Sequence, residues 1–235
     1  MALKDELTEK VKEFARDSWG EIPNGYVVPS PETLTLGNTG SHINACVLYA
    51  DLHRSTEMVD SLRDTRAAEY YKAFLHCAAK IIKDESGEIT AYDGDRVMAI
   101  FMGDDHAQRS IYAAFEINFA VKTIINLAFA NLYKETHRNL QHTVGIDCGQ
   151  LLVAKTGVRI DSDLVFVGPA ANYASKLNSF DGLDPVYPTR ITQQVFDKLN
   201  PGFIRYDGSR PVWDGPYNNL KTRIHYRSDL WIEIA

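Results

Sequence analysis

The chain has 235 residues, 45% of them hydrophobic and 24% charged, with a formal net charge of -6. That composition suits a soluble globular domain with a sizeable core. It excludes the basic face that DNA or RNA binding requires, but not a small anionic ligand in a local positive pocket. The opening "MALKDELTEKVKEF" is charged throughout and is no signal peptide. The most apolar stretch, 111–133, is interrupted by Glu116, Asn118, Lys122 and Asn126. No stretch therefore reaches the about 20 apolar residues of a membrane span. Cys46, Cys77 and Cys148 lack CxxC spacing and read as buried thiols of a reducing compartment. A cytoplasmic protein with no membrane partner is the expectation.

Residues 3–19 place Leu3, Leu7, Val11, Phe14 and Trp19 near helical spacing, predicting a short amphipathic helix. A Gly-, Pro-, Ser- and Asn-rich segment follows over 20–42 and reads as an irregular linker. We divide the chain into an extension, 1–42, and a domain, 43–235. The domain opens with "INACVLYADL" (43–52), an apolar run of strand length. Ser55 and Thr56 mark the next helix start, and a second helix is predicted over 66–83. In "ITAYDGDRVMAIF" (89–101), Asp93-Gly94 signals a two-residue hairpin turn between two strands. A long helix is predicted over 105–134. "HTVGIDCGQLLVAKTG" (142–157) reads as a strand pair bent at its glycines, and "DLVFVG" (163–168) as a strand. Pro169 is well placed to start a helix over 169–180. A short helix near 192–199 and aromatic-rich strands complete an α+β or α/β sandwich with a mostly antiparallel sheet.

Carboxylates end two of these strands. Alternation puts Tyr49 and Asp51 on one face of 45–51, and Asp51 closes that strand where a helix begins. Backbone N–H groups over Leu52–Thr56 are placed to cradle phosphate there. Asp95, at the hairpin tip, supplies a second carboxylate if that hairpin lies beside the first strand. Such a pair suits a hard cation, and the chain offers no His/Cys cluster that argues for zinc. Sequence spacing alone leaves two readings open for each aspartate: solvated cap or turn residue, and metal ligand.

Four segments in order then resemble class III nucleotidyl cyclases. "VLYADLHRST" is similar to their "FADIxGFT", "DGDRVMAIF" to "GDxxMAxF", "VGIDCGQLLVAKTG" to "GIxxGxxxxGxxG", and "VGPAANYASKL" to "GxxVNxAxRL". The resemblance implies the ferredoxin-like cyclase sandwich. It implies two Mn²⁺ or Mg²⁺ ions on Asp51 and Asp95, with the Leu52 carbonyl as a further ligand. It also implies phosphate binding by backbone N–H groups at His53, Arg54, Ser55 and Thr56, and ribose orientation by Asn172. The family's transition-state arginine is replaced by Lys176, which brings charge without the bidentate fork. Head-to-tail homodimers with composite sites are implied as well.

Two positions depart from the family. Purine cyclases read the base with polar residues where this chain has Ala91 and Val165. An apolar wall leaves a purine's polar edge unpaired, at about 1–3 kcal/mol per group. Tyr49, on the Asp51 face, would fill space that a purine needs. In this combination the chain resembles the pyrimidine cyclases of bacterial anti-phage defence, whose cyclic UMP or cyclic CMP acts through a separate effector. The expectation is a UTP cyclase. An adenylyl or guanylyl cyclase with unusual base readout, and a cyclase-like module without turnover, are the alternatives.

Overall fold

A computed structural model describes residues 2–179, 184, 186–203, 205–206 and 210–234. The chain divides into two compact units, Met1–Asn44 with Gln150–Gly168, and Ala45–Gly149 with Pro169–Ala235.

The first unit contains helix α1 (Leu3–Arg16), a single 3-10 turn at Pro31–Thr33 and the opening residues of strand β1 (Gly40–Leu52). Asn38 pins the end of α1 by donating to the carbonyls of Phe14 (2.9 Å) and Asp17 (2.7 Å). The expected helix forms, yet none of its residues is buried, and Leu3, Leu7, Val11 and Phe14 are exposed. The end of strand β4 (His142–Gly157) pairs antiparallel with β5 (Ser162–Val167), from Leu152 opposite Val167 to Gly157 opposite Ser162.

The second unit is built on a sheet in the order β2-β3-β1-β4-β6-β10-β9. Its further strands are β2 (Glu88–Asp93), β3 (Arg96–Phe101), β6 (Thr189–Thr192), β9 (Asp214–Leu220) and β10 (Arg223–Ser228). A separate two-stranded ladder joins β7 (Arg205–Tyr206) and β8 (Arg210–Pro211). β4 runs parallel to β6, while β1–β3, β2–β3, β6–β10 and β9–β10 are antiparallel. The helices are α2 (Ser55–Ser61), α3 (Asp64–Asp84), α4 (His106–Phe119), α5 (Asn126–Tyr133), α6 (Pro169–Ser179) and α7 (Gln193–Phe196). This is the expected α+β arrangement with a mostly antiparallel sheet.

Helical periodicity explains the packing. α3 buries Ala67, Tyr70, Phe74, Ala78, Ile81 and Ile82 along one stripe, and α4 adds Ile111, Phe115 and Ile117 to the same core. α4 reaches α5 through a π-helical turn at Ala120–Ile125, so the predicted long helix is one run with a local irregularity. By length and composition, the run His106–Thr136 meets the requirement for a membrane span, which the sequence reading did not expect. Ile111, Phe115, Val121 and Ile125 on that run are buried in the protein's own core.

Three local expectations are corrected. Residues 142–157 form one 16-residue strand, not a bent pair. Gly145 is in the strand because α6 passes over it: a Cβ there would lie 2.2 Å from the Ala174 carbonyl oxygen. The hairpin turn falls at Gly94-Asp95, because Asp93 is still paired, opposite Arg96. Gly94 takes φ +60°, which suits glycine at the first central position of a tight hairpin. Finally, Cys46 and Cys148 are joined sulfur to sulfur instead of standing as separate thiols, while Cys77 is free. At the end of α6, the predicted position Phe180 lies outside the described residues.

Candidate active site

Strand register assembles the site. Tyr49 of β1 lies opposite Met98 of β3, which lies opposite Ala91 of β2. Directly opposed residues in antiparallel strands share a sheet face, so Ala91, Met98 and Tyr49 form one transverse rank. Two residues toward the strand ends on β1 and β3, Asp51 and Arg96 occupy the same face. Arg96 Nε meets Asp51 Oδ2 at 3.1 Å, and its guanidinium lies 5.8 Å from the Tyr49 ring centre. The hairpin turn brings Asp95 to this corner.

The electrostatics of the corner are unbalanced. Asp51 Oδ1 and Asp95 Oδ2 are both buried without a hydrogen-bond partner. Burial pushes the Asp51 carboxyl up to about 6, the Asp95 charge pushes the same way, and Arg96 pulls against both. A buried carboxylate with an orphan oxygen and a like-charged neighbour is short of positive charge. Hard divalent cations take oxygen ligands of this kind, so the residues present fit such an ion.

The loop from β1 into α2 carries the phosphate-binding expectation. Leu52 is buried and anchors the strand end. His53 donates its backbone N–H to the Gln141 carbonyl at 2.9 Å, which removes that group from ligand duty. Its imidazole is pushed below the usual histidine range by burial, then by the Arg54 charge. Arg54 adopts left-handed backbone, φ +56°, with its side chain exposed beside Glu57. Ser55 and Thr56 begin α2, where first-turn N–H groups have no intrahelical acceptor.

Asn172 and Lys176 project from one side of α6, four residues apart, exposed and half-buried respectively. Lys176 Nζ lies 4.8 Å from the Tyr173 ring centre, and Arg223 approaches the same ring at 4.5 Å. Tyr173 in turn hydrogen-bonds Thr222. It is the far end of α6 that reaches Asp51, through the Asn178 amide at 3.4 Å. Turned over, that amide gives up its donation to Asp51 and donates instead to the carbonyls of Thr143 (2.9 Å) and Tyr49 (3.1 Å). Asn172 stands six residues, or about 9 Å of helix rise, before Asn178. Val165 lies on β5 opposite Ala154 and is 38% exposed.

Sequence reasoning therefore placed Tyr49, Asp51, Ala91 and Asp95 on elements that do come together. It missed the pairing of Arg96 with Asp51. It missed Met98 and Asn178 altogether. Met98 becomes visible only when the β2-β3-β1 order and register are known, and Asn178 only when α6 is packed against β4.

No family model matches the sequence. A uridylate cyclase of Burkholderia cepacia is 47% identical over 215 residues, 91% of either chain. A uridylate cyclase of Xanthomonas perforans is 42% identical over 231 residues, 97% of either chain. Among solved structures, the guanylyl cyclase Cya2 superposes with a TM-score of 0.67 at 18% identity, covering 83% of this chain and 95% of that one.

Proposed function

The chain belongs to the uridylate cyclase family, a nucleotidyl cyclase family, and from that premise we propose that it converts UTP to 3′,5′-cyclic UMP and pyrophosphate. The observation that carries this reading is the Ala91–Met98–Tyr49 rank beside the Asp51–Asp95 corner. It offers a base a wall with no lysine for a purine edge, next to carboxylates short of a cation.

The 3′-hydroxyl oxygen of the ribose gives up its proton to water and bonds to the α-phosphorus as the bond to the pyrophosphate oxygen breaks. Asp51, Asp95 and the Leu52 carbonyl would hold two Mn²⁺ or Mg²⁺ ions. When bound, these supply Lewis acidity to the hydroxyl and neutralise the triphosphate. The N–H groups of Arg54, Ser55 and Thr56 face the phosphates, with Arg96 adding positive charge. In a head-to-tail homodimer, Asn172 of one protomer orients the ribose held by its partner. Lys176 brings charge to the transition state from the same helix face. Residues 43–235 constitute the catalytic domain in this reading. The product leaves as a diffusible second messenger for a separate effector in anti-phage defence, made in the cytoplasm.

Lys176, in place of the expected arginine, favours a second reading: a nucleotide-binding module without turnover. Incubating the purified protein with Mn²⁺ and each of the four ribonucleoside triphosphates decides between them. Cyclic UMP is the expected main product, and Asp51→Ala or Asp95→Ala lowers its formation at least about 100-fold. Cyclic AMP as main product refutes the pyrimidine assignment, and no cyclic product from any triphosphate establishes the second reading.

A further inference from the structure

A second group of ligand atoms lies elsewhere in the same unit. Cys46 on β1, Cys148 on β4 and His106 at the start of α4 present their sulfur and ring-nitrogen atoms within 4.8 Å of one another, all buried. The exposures are 0%, 2% and 8%, so no solvent competes for these groups. His106 Nδ1 hydrogen-bonds the Gly103 carbonyl, which can only accept, so the ring proton is on Nδ1. The lone pair is then on Nε2, and Nε2 is buried with no hydrogen-bond partner. A backbone carbonyl that holds one ring nitrogen and frees the other is how proteins orient a metal-ligating imidazole.

We propose that the reduced protein binds one thiophilic divalent cation of the Zn²⁺ class through Cys46, Cys148 and His106 Nε2. The joined sulfurs are the oxidised form of the same site. A phosphine or dithiol reductant delivers two electrons, and two protons complete the thiols. Binding then releases two protons as both thiols become thiolates. Charge selects the cation: two thiolates, a neutral imidazole and a divalent ion sum to zero, which an apolar core accepts. Softness selects it as well, since Mg²⁺ and Mn²⁺ prefer the oxygen corner at Asp51 and Asp95. The two sites thus take different ions. The disulfide and the metal exclude each other, because both use the same two sulfurs.

The full chain carrying Asp51→Ala and Asp95→Ala, reduced with a phosphine and freed of metal, is titrated with Co²⁺ as the probe. The expected result is a thiolate-to-cobalt charge-transfer band that saturates at one ion per chain and disappears when Zn²⁺ is added. Cys46→Ser or Cys148→Ser abolishes the band, and His106→Gln weakens binding at least about tenfold. No band in reduced protein with free thiols overturns the proposal, as does a band unchanged by all three substitutions. Should those variants fail to fold, alkylation of the reduced parent protein decides. Zn²⁺ should slow modification of Cys46 and Cys148 at least tenfold relative to Cys77, and equal slowing of all three, or none, overturns the assignment.

Discussion

At the scale of single residues, burial sets what each titratable group can do. Asp51 and Asp95 hold orphan oxygens in a corner where Arg96 supplies the only positive charge described in contact with Asp51. His142 is the opposite case. It is fully buried and pushed down to about 3 by desolvation, with the Lys122 charge acting the same way. The folded protein therefore refuses a proton that the unfolded chain accepts below about 6.5. Stability from this group is complete above that pH and is lost as pH falls toward about 3. Between pH 7 and pH 5 the loss amounts to roughly 2 kcal/mol. Urea midpoints at the two pH values measure it, and His142→Leu should flatten the dependence by about that amount. An unchanged pH dependence in the variant would show that His142 is protonated in the fold.

At the scale of elements, close approach of helix to strand positions the chemistry. A side chain at Gly145 would meet the backbone of α6 at both Ala174 O (2.2 Å) and Asn178 N (2.6 Å). Gly145→Ala must push α6 outward, and overpacking of this kind costs about 2–3 kcal/mol. The melting temperature should fall by about 5–10 °C. Cyclase activity should fall further than stability alone explains, because α6 carries Asn172 and Lys176. A variant with parental melting temperature and turnover would mean that the helix yields without cost. The β2–β3 hairpin shows a related economy: glycine at Gly94 makes the turn, which leaves Asp95 at the tip with its carboxylate turned inward.

At the scale of the whole molecule, the proposed composite site calls for two chains. Among the described residues, no hydrogen bond or ion pair links Asn172 or Lys176 to Asp51 or Asp95. In the proposed head-to-tail dimer, each site would take its carboxylates from one protomer and Asn172 with Lys176 from the other. Inactive Asp51→Ala and Asn172→Ala proteins should therefore complement each other when mixed. Half of the randomly formed dimers are mixed, and each mixed dimer has one intact site of two. About a quarter of parental activity should return. Failure to recover activity, with subunit exchange demonstrated, would place all four residues in sites within one chain.

The sequence alone determined the local pieces. Residues 43–52 read as a strand, 66–83 as an amphipathic helix and 89–101 as a hairpin, because periodicity and turn chemistry are short-range properties. The order of those pieces carried the sandwich class, while the ligand roles of Asp51 and Asp95 came from the resemblance of four segments to a family. Tertiary structure decided what depends on register and on strands distant in sequence. It moved the turn to Gly94-Asp95, made residues 142–157 one strand, and set Met98 between Ala91 and Tyr49. It also paired Arg96 with Asp51 and brought Cys46 to Cys148 across 102 positions of chain. A glycine that permits close helix packing looks the same in sequence as a glycine that bends a strand. Only the packed neighbours distinguish them, and those neighbours are supplied by the fold.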